Sequence, residues 1–385
     1  MKLADHPLWL VGFRPFFTLA CLAGVVLPLV WAVLFTGEWH HAPALAPVQW
    51  HAHEMFFGFG WAVMGGFLLT STKNWVNVRG YHGAPLIALV AAWLVERYAL
   101  WAGADWPRPL FLLAGNLFLL AIVAMLAATL VVHRKTDSYK DNAIFLVVLP
   151  LFLIAKNLLL DAGTFALGVT MTLGLFRMAF LVMLERTVTA FMKGAFQVTL
   201  PRHAALDMPI KGLGLVLVAA GWLPPPLVAA VALALAALLL ARFVLWQPRL
   251  GLSRIDVGVM YLGYLAIVAQ LLLEALAVIH PVAWVGTVSV HTFTFGAMGL
   301  IIPAMLVRIC QGHTGRKVVF TRADKAVLWV MIAGFVLRVA APQFYPAAYG
   351  HWIHLAALCW AVAFAVLAWR FVPLLFRPRI DGREH

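Results

Sequence analysis

Twelve apolar runs set the terms on which this chain can fold. They fall near residues 15–35, 52–72, 84–102, 109–132, 143–160, 163–184, 210–222, 226–246, 258–279, 282–307, 324–341 and 351–372. The seventh is short and stops at Gly221-Trp222-Leu223-Pro224-Pro225-Pro226, which reads as a tight turn. The others are long enough to cross a hydrocarbon core of roughly 30 Å. In that core the protein itself must satisfy every backbone N–H and C=O, so only helices and closed barrels span it. Barrel strands alternate apolar and polar residues, whereas these runs are continuous, so they specify helices. The expected fold is all-α and integral to the membrane, with about twelve transmembrane helices in one bundle and a single polytopic domain over residues 1–385. Composition agrees: 64 % of residues are hydrophobic and 11 % charged, against a charged share of about 25 % in soluble domains. The polar start Met1-Lys2-Leu3-Ala4-Asp5-His6 lacks the pattern of a cleavable signal, so the first run is expected to remain a membrane helix.

Lysine and arginine follow the connections between runs. The second connection holds Lys73 and Arg79, and the fourth Arg134, Lys135 and Lys140. The sixth holds Arg186, Lys193, Arg202 and Lys211, and the eighth Arg242, Arg249 and Arg254. The tenth adds Arg308, Arg316, Lys317, Arg322 and Lys325. Lys2 and Arg14 lie at one end of the chain, and Arg370, Arg377, Arg379 and Arg383 at the other, while the odd connections hold only Arg108. By the positive-inside rule both termini are expected in the cytoplasm. The formal charge of +13 is thus a topology signal. It calls for a lipid bilayer as partner and for no nucleic acid.

Arg97, Lys156, Arg177 and Arg338 remain inside or at the ends of spans, where a charge is expensive unless paired or snorkelled to the interface. Arg97, Lys156 and Arg338 map to the outer level, as do Glu54, Glu96, Asp161 and Glu274. Snorkelling accounts for each singly and less readily for their collection on one side. The fourteen histidines sort in the same way. His6, His82, His133, His203, His313 and His385 fall in cytoplasmic loops or tails, where a solvated histidine is the default. His40 and His41 lie in the first outer loop. His51, His53, His280, His291, His351 and His354 lie in the outer half of the membrane or at its outer interface, with His291 deepest.

Two of these segments resemble each other. His53-Glu54-Met55-Phe56-Phe57-Gly58 and His291-Thr292-Phe293-Thr294-Phe295-Gly296 each carry Phe four positions and Gly five positions after the histidine. On a helix the i+4 aromatic lies beside the histidine, and glycine leaves room for a flat macrocycle. A histidine between aromatic and small residues suits the iron of a haem held between helices. An interfacial histidine with no ligand is the plainer alternative. His51 and His53, two apart, point to nearly opposite faces of a helix. His351 and His354 share a face and suit joint binding of copper or another imidazole-binding metal. Arg97 and Arg338 are placed to meet haem propionates, and Glu54 to hydrogen-bond a ligand histidine or to carry protons. Cys21, Cys310 and Cys359 are scattered and odd in number, and no Cys-x-x-Cys-His is present, so neither a disulfide framework nor covalently attached haem is expected.

A set of motifs then carries a family likeness. They are Gly12-Phe13-Arg14-Pro15-Phe16-Phe17, Trp50-His51-Ala52-His53-Glu54-Met55 with Gly58-Phe59, and Gly66-Phe67-Leu68-Leu69-Thr70 with Asn74-Trp75. His291 with Gly296-Ala297-Met298-Gly299 follows, then Met305-Leu306-Val307-Arg308 with Gly312-His313-Thr314-Gly315-Arg316. Together they resemble the NnrS family of bacterial inner-membrane proteins, which are associated with nitric oxide metabolism and nitrosative stress and described as carrying haem and copper. One segment departs from the pattern. Glu185-Arg186-Thr187-Val188-Thr189-Ala190-Phe191-Met192 keeps the arginine and phenylalanine of the family's middle motif and loses its glycine and proline. The resemblance implies a multi-pass protein of the inner membrane with non-covalent b-type haem, copper as a second metal, and a small gaseous or anionic ligand. A haem-dependent oxidoreductase-like activity on nitric oxide is the enzyme form of that expectation, with an electron-transfer partner or a homo-oligomer in support. His53 and His291 are the leading axial ligands, with His51, His351 and His354 next. His313 is a secondary candidate: an anion or partner site, or a helix cap. Two rival readings stay open. One is a twelve-helix secondary transporter of a metal, haem or small ion; the other is an assembly or sensor subunit without chemistry of its own.

Overall fold

A computed structural model of the chain describes residues 3–39 and 43–383; His40, His41 and His385 lie outside the described residues. Among the described residues, twelve helices are long and apolar enough to cross a membrane: α1 Phe13–Phe35, α2 Pro47–Trp75, α3 Ala84–Ala102, α4 Arg108–Val132, α5 Asp141–Leu160, α6 Phe165–Phe196, α7 Ala204–Trp222, α8 Pro225–Leu245, α9 Ile255–Ile279, α10 Val288–Gly312, α11 Arg322–Phe344 and α12 Pro346–Leu375. No strand occurs among the described residues. The expected all-α membrane fold is therefore observed, one helix to each run.

Several helices exceed the apolar runs that announced them, and in α2 and α6 the extension moves residues singled out in the sequence. α2 starts at Pro47 instead of residue 52, because proline at the first helical position needs no N–H partner. His51 and His53 thus sit inside the helix rather than at its mouth. α6 runs on to Phe196, well past residue 184, and absorbs the segment Glu185–Met192 that sequence places in a connection. Its polar groups are satisfied within the helix and by a neighbour: the Thr187 and Thr189 hydroxyls donate to the Met183 and Glu185 carbonyls, and Glu185 pairs with Lys211 at 3.2 Å.

The chain packs as two compact units. The first comprises Met1–Gly168, Leu306–Val319 and Phe364–His385, and the second Val169–Met305 and Phe320–Ala363. In the first, α1 lies along α2, and α4 packs on α3 and α5. Aromatic rings fill the core, with Phe16 against Phe118 (5.5 Å between centroids) and Trp61 edge-on to Phe152 (5.1 Å). In the second, α9 packs against both α8 and α10. The Tyr261 and Tyr264 hydroxyls donate to the Trp246 and Leu239 carbonyls and fix α9 to α8.

Each unit contains the same local irregularity. Directly after His53, α2 widens into a π-helical stretch, Glu54–Gly60. Directly after His291, α10 does so over Thr292–Met298. The two segments that resemble each other in sequence therefore share an unusual backbone, of a kind found mostly at functional sites. The glycine five positions after each histidine admits a close neighbour. A Cβ on Gly58 would lie 2.9 Å from Glu54 Oε2 and 3.1 Å from Arg97 Nη1, and one on Gly296 would lie 2.8 Å from both Ala266 Cβ and a Phe335 ring carbon. Gly296→Ala should destabilise the protein by about 1–3 kcal/mol through overpacking, read as a fall in the thermal unfolding midpoint in detergent. Gly194→Ala, where a Cβ meets nothing within 4 Å, should leave it level or raise it slightly.

Candidate functional site

Burial singles out the surroundings of His53. The side chain is fully buried, as are Glu54, Glu96 and Lys156 to within 1 %. The π-turn brings Glu54 to face α3. There Arg97 Nε meets Glu54 Oε2 at 2.8 Å while Arg97 Nη2 donates to Glu96 Oε1 at 2.6 Å. Lys156, from α5, donates to the same Glu96 oxygen at 2.5 Å. His53 lies between the two acids, with Nδ1 3.3 Å from Glu54 Oε1 and Nε2 3.6 Å from Glu96 Oε1. Both ring nitrogens thus face carboxylates. Two acidic and two basic side chains surround the imidazole.

The irregular backbone and the charges support each other. A π-helix shifts the usual i→i−4 bonding and leaves carbonyls open to outside donors. The Trp93 indole N–H donates to the Gly58 carbonyl at 3.1 Å, and Arg97 Nη1 reaches the Phe57 carbonyl at 3.4 Å. Arg97 also lies over the Trp93 ring at 5.0 Å, and the Lys156 ammonium over the Phe57 ring at 5.5 Å. Gln49 donates to the Leu159 carbonyl and pins the start of α2 to the end of α5. His51 takes the opposite side of α2, as its spacing requires, and stacks on Trp31 of α1 with centroids 4.2 Å apart.

The second unit places His291 in different company. Its Nδ1 lies 3.0 Å from the Thr287 carbonyl and 2.8 Å from the Thr287 hydroxyl. The carbonyl can only accept, whereas the hydroxyl can donate or accept, so Thr287 is placed to set the tautomer of the ring. This is the arrangement in which a second-sphere oxygen sets the tautomer of a metal-binding imidazole. The turn before His291 is anchored on both sides. Gln343 exchanges two hydrogen bonds with the Val285 backbone, each 3.0 Å. Gly286, at φ +75°, has the Tyr349 hydroxyl where a Cβ would stand. That hydroxyl accepts from Arg338 Nη1 at 3.2 Å, and the guanidinium lies 5.6 Å from the Tyr349 ring centre. Arg338 therefore belongs to the same local cluster as the His291 turn. Deeper in this unit, Arg177 of α6 donates to Gln270 at 2.7 Å and pairs with Glu274 at 3.0 Å, both on α9.

The structure thus brings His53, Glu54 and Arg97 together in the first unit and links His291 to Arg338 in the second. His351 is exposed and His354 half-buried, one turn apart on α12. Among the described residues no group of three His, Cys, Asp or Glu stands close enough to hold a metal ion. Glu96 and Lys156 are central to the first cluster, yet sequence marks them only as costly residues at a shared level. Gln270 and Thr287 carry no such mark.

The chain matches the family described as NnrS protein over residues 7–379. It belongs to the NnrS family. No curated protein matches it. The match spans both histidine motifs and also the Gly312–Arg316 segment of this NnrS chain. There, His313 is not a solvated loop residue: its ring packs on Phe13 at 5.4 Å. Burial, with Lys73, Arg379 and Arg14 nearby, pushes it down to about 4.

Two measurements follow from these environments. Lys156→Met leaves an uncompensated carboxylate in the buried cluster and should cost about 3–5 kcal/mol. Glu96→Gln added to it should recover much of that loss in the thermal unfolding midpoint. For His313, the unfolded chain binds the proton first, so its contribution is full above about pH 6.5 and lost as pH falls toward 4. Acidification across that window should lower the wild-type midpoint more than that of His313→Gln.

Proposed function

We propose that this protein is a haem protein of the bacterial inner membrane that binds or converts nitric oxide, or a related small ligand, and protects against nitrosative stress. Family membership supports the context. The observation that carries the chemistry is the π-helical stretch that opens directly after His291, as one does after His53, with the Thr287 carbonyl and hydroxyl beside the His291 ring to orient it as a ligand. The residues present fit a haem in this respect. His291 would hold the iron, and Arg338, kept in place by Tyr349, would offset the propionates. Haem, when bound, supplies an iron centre that takes a diatomic ligand. Copper fits less well: His351 and His354 share a helix face, but among the described residues no third His, Cys, Asp or Glu joins them, and no step is assigned to it.

His53 reads differently from its sequence expectation as a joint axial ligand. With Glu54 within hydrogen-bond distance of Nδ1 and Glu96 3.6 Å from Nε2, a short shift of the ring would let it relay a proton between the two acids. Glu54 is the acid–base group and His53 the carrier, while Arg97 pairs with both carboxylates and Lys156 with Glu96. The even placement of lysine and arginine supports cytoplasmic termini, which puts this relay toward the outer side.

Purified full-length protein should show a Soret band and stoichiometric iron. His291→Ala should lose the band, whereas His53→Ala should keep it and show slowed nitric oxide turnover. Absence of haem in wild-type protein, with uptake of a metal or haem into proteoliposomes, would replace this reading with the transporter.

A further inference from the structure

At the opposite end of the first unit lies a cation that no carboxylate among the described residues pairs with. Arg14, in the first turn of α1, is fully buried. Its Nη1 donates to the Leu375 and Arg377 carbonyls at 2.9 and 2.7 Å, at the end of α12. Its Nε and Nη2 are buried without a hydrogen-bond partner. The charged side chains that bear on it, Arg316 and Arg379, share its sign. The acid at this end, Asp381, is held by Arg379 through two bonds of 2.9 and 2.5 Å. Lys73, 8 % exposed in the last turn of α2, adds a further cation close to His313.

The parts around Arg14 are fixed in place. The Phe13 N–H donates to Thr70, which in turn donates to the Gly66 carbonyl, so α1 starts against α2. The Gly312–Arg316 loop receives the C-terminal tail through Ile380 N–H to the Thr314 carbonyl and Arg379 Nη1 to the His313 carbonyl. Thr314 is itself fully buried and donates to the Cys310 carbonyl at 2.6 Å. A helix C-terminus carries about half a negative charge, which meets the Nη1 side of Arg14. The other side keeps two N–H donors. Nε and Nη2 form the fork of a guanidinium that matches two oxygens of one anion.

We infer that this end of the first unit is an oxyanion site in which the Nε–Nη2 edge of Arg14 takes two oxygens of a phosphate-class anion, with Arg316, Arg379 and Lys73 supplying the surrounding charge. Free oxyanion and the phosphate of an anionic lipid offer the same chemistry. The site stands on residues separate from the His53 and His291 clusters and does not rest on the haem reading.

The test uses delipidated full-length protein in neutral detergent, titrated with inorganic phosphate, and the same protein in nanodiscs of phosphatidylcholine with or without phosphatidylglycerol. Phosphate should raise the unfolding midpoint saturably, or phosphatidylglycerol should raise it in nanodiscs; whichever acts identifies the source. Arg316→Gln, away from the helix cap, should weaken the response, and Arg14→Lys, which keeps the charge but removes the fork, should weaken phosphate affinity about tenfold or more. A midpoint unmoved by both additions, or moved equally in wild type and Arg316→Gln, would overturn the site and leave Arg14 as a helix cap alone.

Discussion

A charge inside hydrocarbon has to meet its opposite, and much of the first unit follows from that constraint. The idealised penalty for taking one carboxylate or ammonium out of water is about 20 kcal/mol, and several kcal/mol remain after relaxation. Glu54, Glu96, Arg97 and Lys156 are therefore placed by mutual need. α2, α3 and α5 each contribute at least one of them, so the network also decides which helices are neighbours. Any one of these residues alone would be a liability. As a set they offset one another, and they give His53 polar surroundings within the apolar core.

The π-helical stretches extend the same logic to the backbone. In a membrane an unpaired carbonyl is nearly as unwelcome as a charge. A π-turn loosens the standard ladder, so it persists only where other donors reach in. Trp93 and Arg97 do so for the Gly58 and Phe57 carbonyls. In the second unit the Thr294 hydroxyl takes the Val290 carbonyl. Both stretches begin at the residue after a histidine and both accommodate a close neighbour at the fifth-position glycine. The same local shape thus surrounds two histidines with different partners: carboxylates beside His53, the Thr287 carbonyl and hydroxyl beside His291.

Much of this was legible in the sequence, and the remainder was hidden for physical reasons. The twelve runs became twelve helices because length and apolarity alone decide what crosses hydrocarbon. The His53 and His291 segments stood out because periodicity and composition are local properties. The ends of α2 and α6 were missed because proline at a first turn and threonines bonded to their own helix extend a helix without adding apolar residues. The partnership of Glu96 with Lys156 was beyond reach, since it depends on which helices touch. The burial of Arg14 was masked by its position, as an arginine at the mouth of a first span ordinarily reads as a snorkelled topology marker.

Arg14 shows why net charge must be read locally. The His53 cluster and Arg14 lie near opposite ends of α2, separated by roughly 25 Å at 1.5 Å per residue from His53 to Thr70. At the His53 end every cation has a carboxylate, so burial is tolerated and a proton can shift without leaving a bare charge. At the Arg14 end the carboxylate of Asp381 already serves Arg379, and no carboxylate among the described residues pairs with Arg14. The helix terminus offsets only part of a full positive charge, and it does so at Nη1, on the side away from the Nε–Nη2 edge. A structural arginine needed only as a cap could be replaced by water-exposed ends or a shorter donor at lower cost. Retaining the whole guanidinium, buried with its fork facing no acceptor, is economical only if something negative completes it.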